Sequence, residues 1–280
     1  MSPGPPRSTD LVFNSLGTIV QVRSQEPTLG ELIRNLFRHF PPSGQSPDLV
    51  ISITHDQGRY RIEKNEEGIA DGCSRDKALV QLLSIVNETS VYGATSLVVH
   101  AGAVASDGEV IAFPASAQAG KSTLVAACLK EGFDYVTDEA LLITDTGRVI
   151  PYPKAMWLTR ESRAALSVDE ARLMAPLDDR YKSPVLPEEL GAQVAGTPLK
   201  MKHLVLPERN GAPVSLEPLG PAFAATELLT HAFNRYDRPR EWFELAAGLT
   251  RTMSAWRLRY GEASEAASYL RSRLTKSPAS

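Results

Sequence analysis

Apolar residues cluster in short runs broken by polar ones in LVFNSLGTIVQVR (residues 11–23), and its richness in β-branched residues predicts strand, turn and strand. TLGELIRNLFRHF (28–40) changes to the period of an amphipathic helix, with Thr28 expected as its cap. PPSGQSP stops that helix, and LVISITHDQGRYRIEK returns to alternation around a DQG turn, with a further strand extending the sheet through about Ile69. RDKALVQLLSIVNETSVYG (75–93) then sets Leu79, Leu82, Leu83 and Val86 on one buried helical face, a helix expected to bridge to the main domain.

The next stretch, SLVVHAGAVASDGEVIAFPA, is two apolar runs around an SDG turn, which predicts a hairpin whose second strand covers Val110 to Phe113. KSTLVAACLKEG follows as a helix ended by Gly132 in the left-handed region. FDYVTDEALLITDTGRVIPYP reads as strand, acidic pair, strand, turn and strand. Beyond Tyr152 the periodicity weakens. KMKHLVLPE and PVSLEPL are expected strands, PAFAATELLTHAFN and REWFELAAGLTRTM helices, WRLRYG a strand, and EASEAASYLRSRL a closing helix with Glu262 in its first turn. The pattern divides the chain into a loose tail (1–10), a small α+β lobe (11–92) and a main domain (93–280). The expected class is α/β: a mixed sheet flanked by helices, with a small β-rich N-terminal lobe.

Composition narrows the function classes without naming one. A hydrophobic content of 42% and a charged content of 22% are ordinary for a globular fold. No apolar run approaches the roughly 18 residues that span a bilayer, so no membrane partner is expected. A formal net charge of −3 gives no electrostatic reason to expect nucleic acid. MSPGPPRSTD is polar and proline-rich, unlike a secretory signal, which makes the cytosol the expected compartment. Cys73 and Cys128 are far apart, which argues against a disulfide framework or a zinc site, and His39, His55, His203 and His231 show no metal-ligand spacing.

The chemistry concentrates in AFPASAQAGKSTL (112–124). A GxxxxGKS/T loop wraps phosphate in successive backbone N–H groups, neutralises it with the lysine and offers its hydroxyl to magnesium. Ala115, Ser116, Ala117, Gln118, Ala119, Gly120, Lys121 and Ser122 follow that pattern except at Ala115, where the first glycine would stand; Thr123 adjoins it. Alanine there costs about 1 kcal/mol if the position needs a positive φ and almost nothing otherwise. The stretch lies between an expected strand and an expected helix, the context a phosphate loop needs, although a plain strand-to-helix connection has the same outline. Asp138 and Glu139 fall one strand later, where carboxylates can anchor a metal and take a proton; a solvated acidic turn is the alternative for such a pair.

His100, 21 residues before Lys121, and Asp138 and Glu139, 17 and 18 residues after it, together with GFDYVTDEALLI, YPKAMWL and the later DDRYKSPVLP, resemble the HPr kinase/phosphorylase family and the kinases related to it. The clear resemblance covers about residues 95–160. It implies that the loop binds ATP, that Lys121 and Ser122 hold ATP and Mg²⁺, that Asp138 helps bind the metal, and that Glu139 takes the position of the base. The family has aspartate there, so Asp138 could act instead. His100 would line the acceptor site beside the γ-phosphate, and Lys154, Arg160 and Lys182 are candidates for phosphate or substrate contacts, or else solvated surface charges. The implied activity is ATP- and magnesium-dependent transfer of the γ-phosphoryl group to a hydroxyl of a peptide, protein or small molecule, in a chain that forms homo-oligomers. A non-catalytic ATP-binding regulatory module is the alternative; a phosphate-handling lyase ranks last, lacking metal-ligand histidines and a guanidinium clamp. The second motif of the phosphorolytic relatives is not found.

Overall fold

The computed structural model describes residues 9–116, 119–178, 180–197 and 199–275, in two compact units, 1–95 and 96–280. The first unit holds β1 (Thr9–Ser15), β2 (Thr18–Ser24), α1 (Pro27–Leu36), β3 (Leu49–Asp56), β4 (Arg59–Lys64), β5 (Glu67–Cys73) and α2 (Arg75–Gly93). Its five strands lie in sequence order, antiparallel except for the parallel β2–β3 pair that α1 connects. Thr9 and Asp10, expected in the tail, already pair with Ser24 and Arg23.

The cap of α1 is Glu26 rather than Thr28: its carboxylate accepts from Thr28 N at 2.9 Å and Leu29 N at 2.5 Å, and Pro27 takes the first helical position, where a missing N–H costs nothing. α2 covers the expected residues and buries the expected face, Leu79, Leu82, Leu83 and Val86, within the first unit, where it packs on that unit's strands. The rings of Phe13, Phe37 and Phe40 pack together with centroids 4.7–5.6 Å apart in this core, Phe13 stacked on Phe37 and Phe40 tilted or edge-on to both.

The second unit is mixed α/β, its sheets flanked by helices. It contains β6 (Leu97–Ser106), β7 (Glu109–Pro114), α3 (Lys121–Lys130), β8 (Asp134–Thr137), β9 (Ala140–Ile143), β10 (Arg148–Ile150), β11 (Met156–Leu158), α4 (Arg160–Ala165), β12 (Ser183–Val185), β13 (Leu199–Arg209), β14 (Ser215–Leu219), α5 (Pro221–Thr230), α6 (Pro239–Thr250), β15 (Ser254–Tyr260) and α7 (Ala263–Leu274). The main sheet runs β10-β9-β6-β7-β13-β15-β14, with β8 also on β6; β13 is parallel to β7 and β15, and the other pairs are antiparallel. Alternate residues of β6, Leu97, Val99, Ala101, Ala103 and Ala105, pack with Ala224 and Leu228 of α5 and Trp242 and Ala246 of α6. Val104 joins Ile111 and Phe113 in a second core with α3 and α7, so helices cover both faces.

Two contacts set the approach to α3. A Cβ on Gly102 would lie 2.6 Å from Val125 Cγ2, so only glycine on β6 admits the helix this closely. Beyond Pro114 the place beside β6 passes from β7 to residues 231–233: His100 N donates to His231 O at 2.8 Å and Phe233 N to Val98 O at 2.9 Å. Asn234 fastens that segment, accepting from Val98 N and donating to Ser96 O. The small β11–β12 sheet and α4 occupy the stretch where periodicity had weakened. Among the described residues no helix is long and apolar enough to cross a membrane.

Candidate functional site

The loop leaves β7 at Pro114 and enters α3 at Lys121. Ala115 is buried and does not adopt a positive φ, so the residue standing where a glycine was expected carries no backbone strain. The positive φ falls on Gly120, at +82°, which caps α3 with no side-chain hydrogen bond. The first-turn N–H groups of α3 therefore have no side-chain acceptor at their cap, and the partial positive charge of the helix terminus adds to them. Lys121 is buried, and its Nζ donates to Ala115 O at 2.7 Å and Ser116 O at 2.9 Å, which turns the ammonium back into the loop. Ser122 is half-buried in the same turn, and Thr123 Oγ1 lies 2.9 Å from Ser162 Oγ of α4. Ala117 and Gln118 lie outside the described residues.

Asp138 and Glu139 form the corner between β8 and β9, both of which pair with β6. Thr137 Oγ1 accepts from Glu139 N and Ala140 N, and Ala101 N donates to Glu139 O at 3.2 Å, so the corner is tied across β6 beside His100. Asp138 is 3% exposed and Glu139 half-exposed. Lys154, on the extended segment before β11, is equally buried at 3%. Its Nζ stands 3.6 Å from Asp138 Oδ1 and 3.8 Å from Glu139 Oε2, so this candidate contact is an internal counter-ion and not a surface charge. Tyr135 joins the two: its hydroxyl donates to Lys154 O at 2.7 Å and lies 3.3 Å from Asp138 Oδ1. Burial and the neighbouring carboxylate hold that phenol well above its ordinary pKa.

The structure brings His100 to the same cluster, Nε2 3.9 Å from Glu139 Oε1. Burial, with Lys121 and His231 adding like charge, lowers the imidazole pKa to about 4 against the opposing pull of Asp138. His100 is thus neutral at pH 7, a hydrogen-bonding group rather than a cation. The Lys121 ammonium is pushed below an ordinary lysine by burial; Glu139 and Asp138 oppose that shift and Lys182 reinforces it. Lys182 is exposed but close enough for its charge to act on Lys121, whereas Arg160 is exposed at the first residue of α4.

Sequence reading missed Tyr135 and His231. Burial lowers the His231 pKa and Glu227 raises it, while the charge of Lys121 also acts on it, which places His231 within electrostatic reach of the loop. Tyr135 left one faint signal, an aromatic three residues before an acid at the end of a strand; His231 left none, since a helix C-terminus does not say which strand it will join. Such a cluster can neutralise phosphate, hold an acceptor hydroxyl and move its proton. No protein-family model matches the chain, and no curated protein is significantly similar to it.

Proposed function

We propose that the second unit is an ATP- and Mg²⁺-dependent kinase that transfers the γ-phosphoryl group to a hydroxyl, with serine in a peptide, protein or small molecule as the acceptor class. The observation that carries this reading is the junction of the Lys121 ammonium, held against loop carbonyls at the start of α3, with two carboxylates one strand away that share the buried Lys154.

The donor set suits magnesium. Among the described residues no three His, Cys, Asp or Glu side chains converge on a common point, and Mg²⁺ in phosphoryl-transfer sites needs only one or two protein ligands beside phosphates and water. Ser122 and Asp138 would hold the ion, which supplies charge neutralisation when bound. The residues divide the remaining work. Amides of the loop and the first turn of α3 bind phosphate oxygens, and Lys121 exchanges its carbonyl partners for them. Lys154 sets the position of Asp138 and lends positive charge to the transferring end. Glu139, the more exposed acid, accepts the proton of the acceptor hydroxyl, and neutral His100 beside it orients that hydroxyl by hydrogen bonding.

One observation favours a second reading, a non-catalytic ATP-binding module: Lys154 already stands against both carboxylates. A single experiment separates the two. The chain is incubated with γ-labelled ATP, Mg²⁺ and pooled serine-containing peptides, proteins and free serine. Label should pass into an acceptor, and Glu139→Gln should slow transfer by about 10²–10⁴-fold with ATP affinity kept. ATP bound without any transfer selects the module, and no ATP binding by the intact chain overturns both.

A further inference from the structure

A concavity meets the start of α3 and shares no lining residue with the Asp138–Glu139–Lys154 cluster. It has a volume of about 180 Å³ and is lined by Gly120 and Thr123, by Ser162 of α4, and by Tyr260, Glu262 and Ala263 where β15 turns into α7. Tyr260 is 1% exposed, and its hydroxyl is the single buried side-chain polar atom among the described residues with no hydrogen-bond partner. A Cβ on Gly120 would sit 3.4 Å from that hydroxyl, so the αL turn of the loop lies directly against it. Buried hydroxyls are nearly always satisfied, and an orphan in a cavity wall points to a group the cavity receives.

The charge of the lining selects the chemistry. Glu161 and Glu262 face one basic residue, Arg209, whose Nη2 is 3.9 Å from Glu262 Oε1 and whose Nε is already bonded to Gly261 O. Two carboxylates disfavour a further phosphate, while carboxylates and hydroxyls together suit a neutral polyol, a carboxylate being the usual partner of a ribose diol. The volume admits a sugar and is too small for a whole nucleotide.

We infer that this cavity is a ribose subsite: it receives the sugar of the nucleoside triphosphate whose phosphates lie on the loop, with the Tyr260 hydroxyl and the Glu262 carboxylate as its polar contacts. The inference rests on the phosphate-binding reading of residues 115–122, and it adds that the chain selects a ribonucleotide over bare polyphosphate.

Calorimetric titration of the full chain with ATP, 2′,3′-dideoxy-ATP and inorganic tripolyphosphate, each with Mg²⁺, tests it. ATP should bind about tenfold more tightly than either of the others, the worth of a hydrogen-bonded pair to a charged group. Ala263→Phe, which fills the cavity, and Glu262→Gln, an exposed and conservative change, should each remove most of that advantage and leave tripolyphosphate affinity unchanged; Tyr260→Phe should act in the same direction. Tripolyphosphate bound as tightly as ATP, or variants that weaken both ligands alike, overturns the ribose subsite and leaves the phosphate loop standing. Failure of the wild-type chain to bind any of the three overturns the loop reading and this one together.

Discussion

The two units handle buried polarity in different ways. In the first, the buried polar side chains are hydroxyls and one amide, such as the Ser15–Ser90 pair at 2.7 Å, with no buried charge among them. Among the described residues every buried charged side chain, Lys121, Asp138, Lys154 and Arg163, belongs to the second unit. Removing a charge from water costs several kcal/mol unless partners restore what water supplied. Arg163 is well compensated, bonded to Glu170 at 2.8 Å and Leu158 O at 2.9 Å. Lys154 faces its two carboxylates at 3.6 and 3.8 Å, beyond hydrogen-bond range. The first unit is packed for stability, whereas the second keeps a charge cluster only loosely satisfied, the condition expected where ligand groups complete it.

The sharpest test of that contrast is Lys154→Met, which strands the buried Asp138 carboxylate. Urea unfolding should show a loss of about 3–5 kcal/mol, partly recovered by adding Asp138→Asn, because an uncompensated charge and not packing is at fault. The matching change in the first unit, Ile51→Ala, should cost roughly 2–5 kcal/mol through its cavity and leave ATP affinity of the folded protein unchanged. If the double variant recovers nothing, the comparison fails.

Protonation of His100 gives the next effect. Its folded pKa of about 4 lies below the ordinary 6.5, so the unfolded chain binds more protons between those values. Its stabilising contribution is complete above pH 6.5 and falls as pH drops toward 4, by up to about 3 kcal/mol. His203 and His231 are shifted in the same direction, so His100→Gln should flatten part of the stability profile in that window and not all of it. An unchanged profile would mean that His100 titrates normally.

Smaller effects probe packing and capping. Gly102→Ala should cost about 1–3 kcal/mol by pressing β6 against Val125, and should weaken phosphate binding by shifting the start of α3. Glu26→Ala should cost about 1 kcal/mol in thermal unfolding, the worth of one cap, with no effect on any ligand.

Most elements were legible along the chain because each is coded by neighbours. The apolar period of 75–93 gave α2, the turn at Asp107–Gly108 gave the β6–β7 hairpin, and KMKHLVLPE, read as a strand, lies within β13. Short elements without a full period, β11, α4 and β12, were not legible, since their order comes from contacts with distant residues such as Thr123 against Ser162.

By itself the sequence determined the local chemistry: a Gly-Lys-Ser turn between strand and helix, and an acidic pair at a strand end, both fixed by adjacent residues. Whether Ala115 needed a positive φ, that Lys154 would be the buried counter-ion of Asp138, that residues 231–233 would run beside His100, and that Tyr260 would lie unpartnered under Gly120 were decided only by the tertiary structure. The physical reason is range: a dihedral preference or a helical period acts within a few residues, whereas electrostatics and hydrogen bonding act between whichever groups the pairing of β6 brings together, and that pairing is a property of the whole sheet.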